Sequence, residues 1–131
     1  MLAACAHLSF FTGFWLVAPI AIFLIKRKES RFVAFYALQA ALVQVLFGVG
    51  TMLFVILCIV LVAAVGVSGR HEAAAIVALV PVLGLVAGGA GLVLVHLFAA
   101  YSAWRGNELS IPLAGHLARA IQGADQDAAK I

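Results

Sequence analysis

Two apolar runs, each long enough to cross a lipid bilayer, flank a single charged cluster in the first half of the chain. The cluster spans Lys26 to Arg31 with the sequence KRKESR, and it holds four of the eight basic residues. A transmembrane helix needs about 20 apolar residues to cross the hydrocarbon core. The pattern therefore predicts a membrane helix on each side of the cluster and a break between them.

The composition supports lipid as the solvent of this chain. Of 131 residues, 66% are hydrophobic and only 10% are charged, whereas soluble domains carry about 25% charged residues. A small soluble domain exposes too much of its surface to hide this much apolar material. The basic residues lie beside the apolar runs and not in a stripe with aromatics, so we expect a lipid bilayer as partner and no nucleic acid.

These patterns predict an all-α integral membrane protein of one small domain. We expect three transmembrane helices within residues 1–104, over about residues 3–25, 40–65 and 74–103. Proline inside a helix removes a backbone donor, so we expect a kink between Trp15 and Pro19 in the first span. The third span is longer than a bilayer requires, and the alternatives for its excess length are tilt, a kink at Pro81 or a solvated last turn at residues 101–104.

The segments between and after the spans carry their own signals. Residues 26–38 form either an interfacial segment between the first two spans or the first turns of the second, with Ser30 as the helix cap. Residues 105–131 form a tail that is amphipathic over 116–121, and we expect its polar end to fray.

The distribution of basic residues predicts the orientation. The first loop and the tail carry seven of them, whereas the turn at residues 66–72 carries only Arg70. Short cytoplasmic loops are enriched in Lys and Arg. We therefore expect a multi-pass protein of the inner (plasma) membrane, with the first loop and C-terminus cytoplasmic and the N-terminus outside.

Small residues follow one face of each of the last two spans. Close backbone approach favours helix association in lipid, where the hydrophobic effect does not drive helices together. We expect these faces to pack, either within the chain or between copies. The residues concerned are Gly84, Gly88 and Gly91 in the third span, and Gln44, Gly48, Thr51 and Val55 in the second.

Gln44 and His96 are polar residues within the predicted spans. Counted from the cytoplasmic ends of their spans, they lie at similar depth and could meet. Polar side chains inside a membrane are costly and are site hypotheses by default. The alternatives are an interhelical hydrogen bond and a role in ligand binding or proton relay.

The sequence shows no pattern for catalysis or cofactor binding. It lacks a Ser-His-Asp arrangement, paired intramembrane carboxylates and a phosphate loop, so we expect no enzyme activity. With three spans, His7 and His96 would lie near opposite membrane surfaces, which argues against haem held between them. No Cys or carboxylate joins a His at ligand spacing, so neither a metal nor a cofactor is expected.

The charged cluster and the aromatic residues after it form a candidate docking face. Charged side chains stay in water, and aromatic side chains anchor at the interface. The residues of this face are Lys26, Arg27, Lys28, Arg31, Phe32 and Tyr36.

The sequence carries an ordered set of short motifs around the charged cluster and at the end of the third span: HLS at residues 7–9, GF at 13–14, LIK at 24–26, ES at 29–30, FV at 32–33, ALQA at 37–40 and AYSAWRGNE at 100–108. In these motifs the sequence resembles a widespread family of small prokaryotic membrane proteins of unknown function. That family is distantly similar to the Tic twenty-kilodalton component of chloroplast protein import. The resemblance implies a helical membrane protein in or beside a larger assembly, without catalytic residues. The chain departs from the pattern at Ala34-Phe35-Tyr36, where the family more often has an acidic residue and then His.

Two hypotheses of function follow. The first is a non-enzymatic structural, assembly or protein-translocation-related subunit of a larger membrane complex. The second is a homo-oligomeric channel or transporter for a small solute or ion, with Gln44, Thr51 and His96 along the path.

Overall fold

A computed structural model describes residues 1–13, 15–69 and 71–128 of the chain. Arg70 and Lys130, which entered the count of basic residues, lie outside these ranges. The described residues form only helices and turns, which agrees with the predicted all-α class. The helices are α1 (Leu2–Leu8), α2 (Val17–Lys26), α3 (Arg31–Val67), α4 (His71–Val77), α5 (Leu79–Trp104) and α6 (Ala114–Ala128), with a 3-10 turn at Ser9–Thr12.

Two helical stretches are long and apolar enough to be membrane spans. They are Arg31–Val67, with 37 residues, and Glu72–Trp104, with 33. Only 6% of the most apolar part of each stretch is buried within the protein. A core helix of a soluble protein would be mostly covered, so these helices present their apolar surface outward, as lipid-facing helices do.

The second stretch is interrupted at Ala78, between α4 and α5. Pro81 lies three residues further on, and a proline ring clashes with the carbonyl four residues before it. The interruption therefore lies within one turn of Pro81, on its N-terminal side, as a kink at Pro81 requires.

The first apolar run is not the single long helix that we expected. Gly13 has φ 78°, a left-handed conformation that ends the 3-10 turn and breaks the run. The helices on either side, α1 and α2, have 7 and 10 residues, and neither reaches the ~20 residues of a span. The structure thus has two candidate spans and does not confirm three. Pro19 lies in the first turn of α2, where proline is tolerated, and causes no kink there.

The two short helices fold back on each other. α1 packs against α2, and Ala6 shares an apolar cluster with Ala37 and Ala40 of α3, against which Ile22 and Phe23 of α2 also pack.

This fold-back brings the N-terminus to the end of α5. Ala3 is buried in a cluster with Tyr36 of α3, Ala103 of α5 and Ala118 of α6. The predicted orientation, with the N-terminus outside and the C-terminus cytoplasmic, stays a prediction.

Residues 31–38, which we expected as either an interfacial segment or the start of a span, are the first turns of α3. Ser30 caps this helix, because its Oγ accepts a hydrogen bond from the Val33 N–H at 3.4 Å. At about 1.5 Å per residue α3 is roughly 55 Å long, well beyond the ~30 Å of a bilayer core. Its first turns are buried, and exposed apolar residues follow from Val45 onward.

The chain divides into two compact units. The first unit comprises Met1–Leu46 and Leu94–Ile131, and the second unit comprises Phe47–Val93. In the second unit, a Cβ placed on Gly84 would lie 2.6 Å from Cζ of Phe54, and one on Gly88 would lie 3.5 Å from Cε2 of Phe47. Aromatic rings thus fill the space beside Gly84 and Gly88, whereas the predicted packing against the face of Gln44, Gly48, Thr51 and Val55 stays a prediction. Gly91 faces open space.

The tail contains a further helix, α6. α5 ends in a Schellman motif, in which Gly106 at φ 77° lets the Asn107 N–H donate to Ser102 O at 3.1 Å. An irregular segment then leads to α6, which continues to Ala128. The predicted amphipathic stretch is therefore part of a longer helix, and fraying of the polar end stays a prediction.

Candidate functional site

Tyr36 holds the segment that follows α5. Its side chain is 0% exposed on the inner face of α3. Its hydroxyl donates a hydrogen bond to Asn107 O at 2.6 Å and accepts one from the Leu109 N–H at 2.7 Å. One phenol group thus satisfies two backbone groups of an irregular segment, which has no helix or sheet to pair them.

Gln39, one turn further along α3, continues this arrangement. Its Nε2 donates to Leu109 O at 3.1 Å, and its Oε1 accepts from the Ile111 N–H at 3.0 Å. The amide side chain pairs with the segment as a neighbouring backbone would. We call Tyr36, Gln39 and residues 107–111 the clamp.

Gly115 completes the clamp because no larger residue fits there. A Cβ at this position would lie 2.8 Å from Gln39 Oε1 and 3.1 Å from Ser110 Cα, and closer still to Ser110 Oγ. The first turn of α6 thus rests directly on the clamped segment. The clamp ties α3, the segment after α5, and α6 into one body.

Next to the clamp lies a histidine cluster. The rings of His7 and His96 are 5.3 Å apart between centroids and meet edge to face. Phe10 packs against His96 at 4.7 Å, and Tyr36 against His7 at 5.7 Å. The cluster therefore joins the N-terminal fold-back, α3 and α5.

Gln44 of α3 contacts the histidine cluster through His96. Its Nε2 lies 3.4 Å from Nε2 of His96, and both side chains are 0% exposed. The predicted meeting of these two residues is confirmed. The amide donates to the imidazole when His96 carries its proton on Nδ1.

His7 is buried without a hydrogen-bond partner. Neither of its ring nitrogens, nor Oε1 of Gln44, bonds to any residue that the structure describes. Leaving a buried polar group unpaired costs about 1–3 kcal/mol.

The expectation that His7 and His96 would lie near opposite membrane surfaces is wrong, since their rings touch. They meet because the first apolar run folds back after Gly13 and is not a single long helix. The contact still does not suit haem, because rings packed edge to face leave no gap for a porphyrin between them. Over the described parts of the chain, no three His, Cys, Asp or Glu side chains converge on a metal site.

The predicted docking face divides into exposed and buried members. Arg27, Lys28 and Arg31 are exposed, whereas Tyr36 is fully buried in the clamp and cannot contact a partner. Lys26 forms an ion pair with Glu29. Phe32 is partly buried, with its ring 5.0 Å from that of Tyr36.

The candidate packing residues Gly48 and Thr51 are half-buried on α3. The rings that meet Gly84 and Gly88 belong to the neighbouring residues Phe54 and Phe47. Sequence reasoning found the glycine face but not these two partners.

The clamp was not predicted from the sequence, although several of its residues are recognisable there. The motif residues Gln39 and Tyr101 to Asn107 stand out as polar or aromatic groups beside apolar runs. Their pairing spans about 70 residues of chain, and no local pattern encodes a contact between such distant residues.

A family model covers nearly all of the site just described. The model of the magnetosome magnetite crystal formation protein family, MamF/MmsF, matches residues 1–118. The chain belongs to the MamF/MmsF family. The match includes α1 to α5, the clamp and the histidine cluster.

Membership in the MamF/MmsF family corrects the earlier resemblance in one respect. A family of small prokaryotic membrane proteins is confirmed, but it is a magnetosome family and not a Tic-like one. The protein is accordingly a membrane protein, and the MamF/MmsF description names crystal formation and no catalysed reaction. No significant match is found among curated proteins or solved structures.

Proposed function

We propose that this protein acts in magnetite crystal formation as a non-enzymatic structural subunit of a larger membrane assembly. The role in crystal formation rests on the match of residues 1–118 to the MamF/MmsF family. The structural role is supported by the clamp, which fixes the segment after α5 and α6 against α3. The first unit therefore offers a fixed surface for contacts with other membrane subunits or a second copy.

The charge distribution supports contacts through this unit. Seven of the eight basic residues fall within the ranges of the first unit, and only Arg70 falls within the second. Residues 47–93 contain a single acidic residue, Glu72. Hard cations are bound by several oxygen ligands together. Residues 47–93 offer one carboxylate, so the sequence supports contacts with partner proteins better than direct binding of iron ions by this segment.

The channel or transporter hypothesis has less support from the structure than the assembly role. It placed Gln44, Thr51 and His96 along a path between copies of the chain, whereas Gln44 and His96 are 0% exposed and face each other inside the first unit.

The test expresses the chain in a magnetite-forming bacterium whose own family member has been deleted. Crystal size is measured by electron microscopy, and we expect restoration towards the parental size. Crystals that stay at the size of the deletion strain, despite normal amounts of the protein in the membrane, would refute the role in crystal formation.

Assembly is tested in the same strain with a photo-crosslinking amino acid. It is placed at Lys28 in the first unit or at Ser68 in the second, and both positions are exposed. We expect adducts with membrane proteins from position 28 and few from position 68. Restored crystals with only uncrosslinked monomer from position 28 would count against the assembly proposal and leave the crystal role standing.

A further inference from the structure

The first unit contains a pocket with two arginines. It has a volume of about 480 Å³ and lies between the start of α3 and α6. Its lining consists of Arg31, Phe32, Phe35, Glu108, Arg119 and Gln122. Polar and apolar surfaces share the lining, which suits a ligand with one charged group next to an apolar part.

The two arginines are available for an anion. Among the carboxylates whose side chains the structure describes, none lies in ion-pairing distance of Arg31 or Arg119. Lys26, by contrast, is already paired with Glu29. A guanidinium presents a planar fork of donors that matches the oxygens of a phosphate, and it binds them in pairs.

Contacts with neighbouring residues position both arginines. The guanidinium of Arg119 lies 5.5 Å from the ring centroid of Phe35, and stacking on a ring leaves the N–H donors in the guanidinium plane free. Gln122 Nε2 donates to Arg31 O at 3.3 Å and joins α6 to the start of α3. The pocket is thus built by two helices and is not a chance group of surface charges.

The exposed face of α6 indicates that the pocket lies at the membrane surface. Leu117 and Ile121 lie four residues apart on α6 and are 41% and 43% exposed, and Leu113, which is 62% exposed, directly precedes the helix. Residues at this spacing share one face of a helix, while Ala114 and Ala118 bury the adjacent face. An apolar exposed stripe on an amphipathic helix is typical of a helix that lies in the headgroup layer of a membrane.

We propose that this pocket binds the phosphate of an anionic lipid headgroup, with Arg31 and Arg119 as its ligands and the two phenylalanines beside the glycerol and upper acyl region. Glu108 in the same pocket opposes an anion and weakens the affinity. This site is independent of the proposed role in crystal formation. Free inorganic phosphate carries the same phosphate oxygens and is the alternative ligand that the experiment must distinguish.

The experiment uses the full-length protein purified in a neutral detergent. Dioctanoyl-phosphatidylglycerol, dioctanoyl-phosphatidylcholine and inorganic phosphate are titrated in separate arms, and the apparent Kd is obtained from the ligand-dependent rise in Tm. We expect phosphatidylglycerol to bind and the zwitterionic lipid to bind at least about tenfold more weakly, since its choline group repels the arginines.

Two double variants distinguish binding by the pocket arginines from nonspecific attraction to positive charge. Arg31→Gln with Arg119→Gln should weaken phosphatidylglycerol binding by about tenfold or more, because charge-assisted bidentate contacts are lost. The matched control is Lys28→Gln with Arg105→Gln, which removes the same charge; Arg105 also stacks on an aromatic ring, 5.6 Å from the centroid of Tyr101. The control should bind as the parent does, and Glu108→Gln should bind more tightly.

Arg31→Gln alone and Arg119→Lys keep the test valid if the double variant fails to fold. The first leaves the stacking on Phe35 intact, and the second keeps the charge but loses the fork of donors. Equal weakening in the pocket and control variants, or no binding of phosphatidylglycerol, would overturn the proposal. Binding of inorganic phosphate with the same affinity and the same arginine dependence would overturn the lipid as source.

Discussion

Substitution of Gly115 by alanine is the sharpest test of the clamp. The new methyl group would lie 2.8 Å from Gln39 Oε1 and 3.1 Å from Ser110 Cα, whereas unstrained contacts lie near 3.5–4.0 Å. The Ser110 hydroxyl can rotate away, but its Cα belongs to the backbone of the clamped segment. The segment must therefore move, and with it the two hydrogen bonds of Gln39.

The magnitude follows from three contributions. Overpacking costs about 1–3 kcal/mol, and each hydrogen bond lost adds about 0.5–1.5 kcal/mol. Alanine offsets up to about 1 kcal/mol through its higher helix propensity. With both hydrogen bonds of Gln39 lost, we expect a net loss of about 1–6 kcal/mol in the free energy of unfolding.

The assay combines unfolding in detergent with hydrogen exchange. The amides of Leu109 and Ile111 donate to Tyr36 Oη and Gln39 Oε1, so their protection should fall in the variant. Gly123→Ala is the matched control, because it lies on the same helix with nothing within 4 Å of its Cβ position. If Gly115→Ala is as stable as this control and both amides stay protected, the clamp as described is wrong.

Three further predictions test other parts of the molecule. His7→Phe keeps the ring packing and removes two buried nitrogens without partners, so the free energy of unfolding should rise by about 1–3 kcal/mol; a fall would show that the imidazole has a partner. Gly84→Ala should lower Tm because its Cβ meets the ring of Phe54 at 2.6 Å, while Gly91→Ala faces open space and should not; equal Tm values would exclude this packing. A protease added on one side of the membrane should cleave tags at both termini. A cleavage site inserted after Ser68 should be cut only by a protease added on the other side. Termini that are cleaved from opposite sides would show that the first apolar run crosses the membrane.

The features that could be predicted from the sequence are those that depend on a local pattern of residues. Long apolar runs produced the two candidate spans, and depth along them brought Gln44 and His96 together. Ser30 capped the helix that begins at Arg31, as its position before the apolar run predicted. These features depend on residues close in sequence or on distance from a helix end.

The fold-back of the first run could not be obtained in this way. A run of about 23 apolar residues has the same hydropathy whether it crosses a bilayer or reverses within it. Gly13 was the one local sign of a reversal, and it stands among residues that otherwise favour a continuous span. The error at His7 followed directly, because its depth was counted along a straight helix.

The clamp also carries a consequence for biosynthesis. Tyr36 and Gln39 are made some 70 residues before the groups they bind, which is roughly 4–14 s of translation. During that interval α3 holds a phenol and an amide that have no backbone to pair with, even after the helix has entered the bilayer. Closure of the clamp can therefore begin only once residues 107–111 have been synthesised, which makes it a late step in the folding of the first unit.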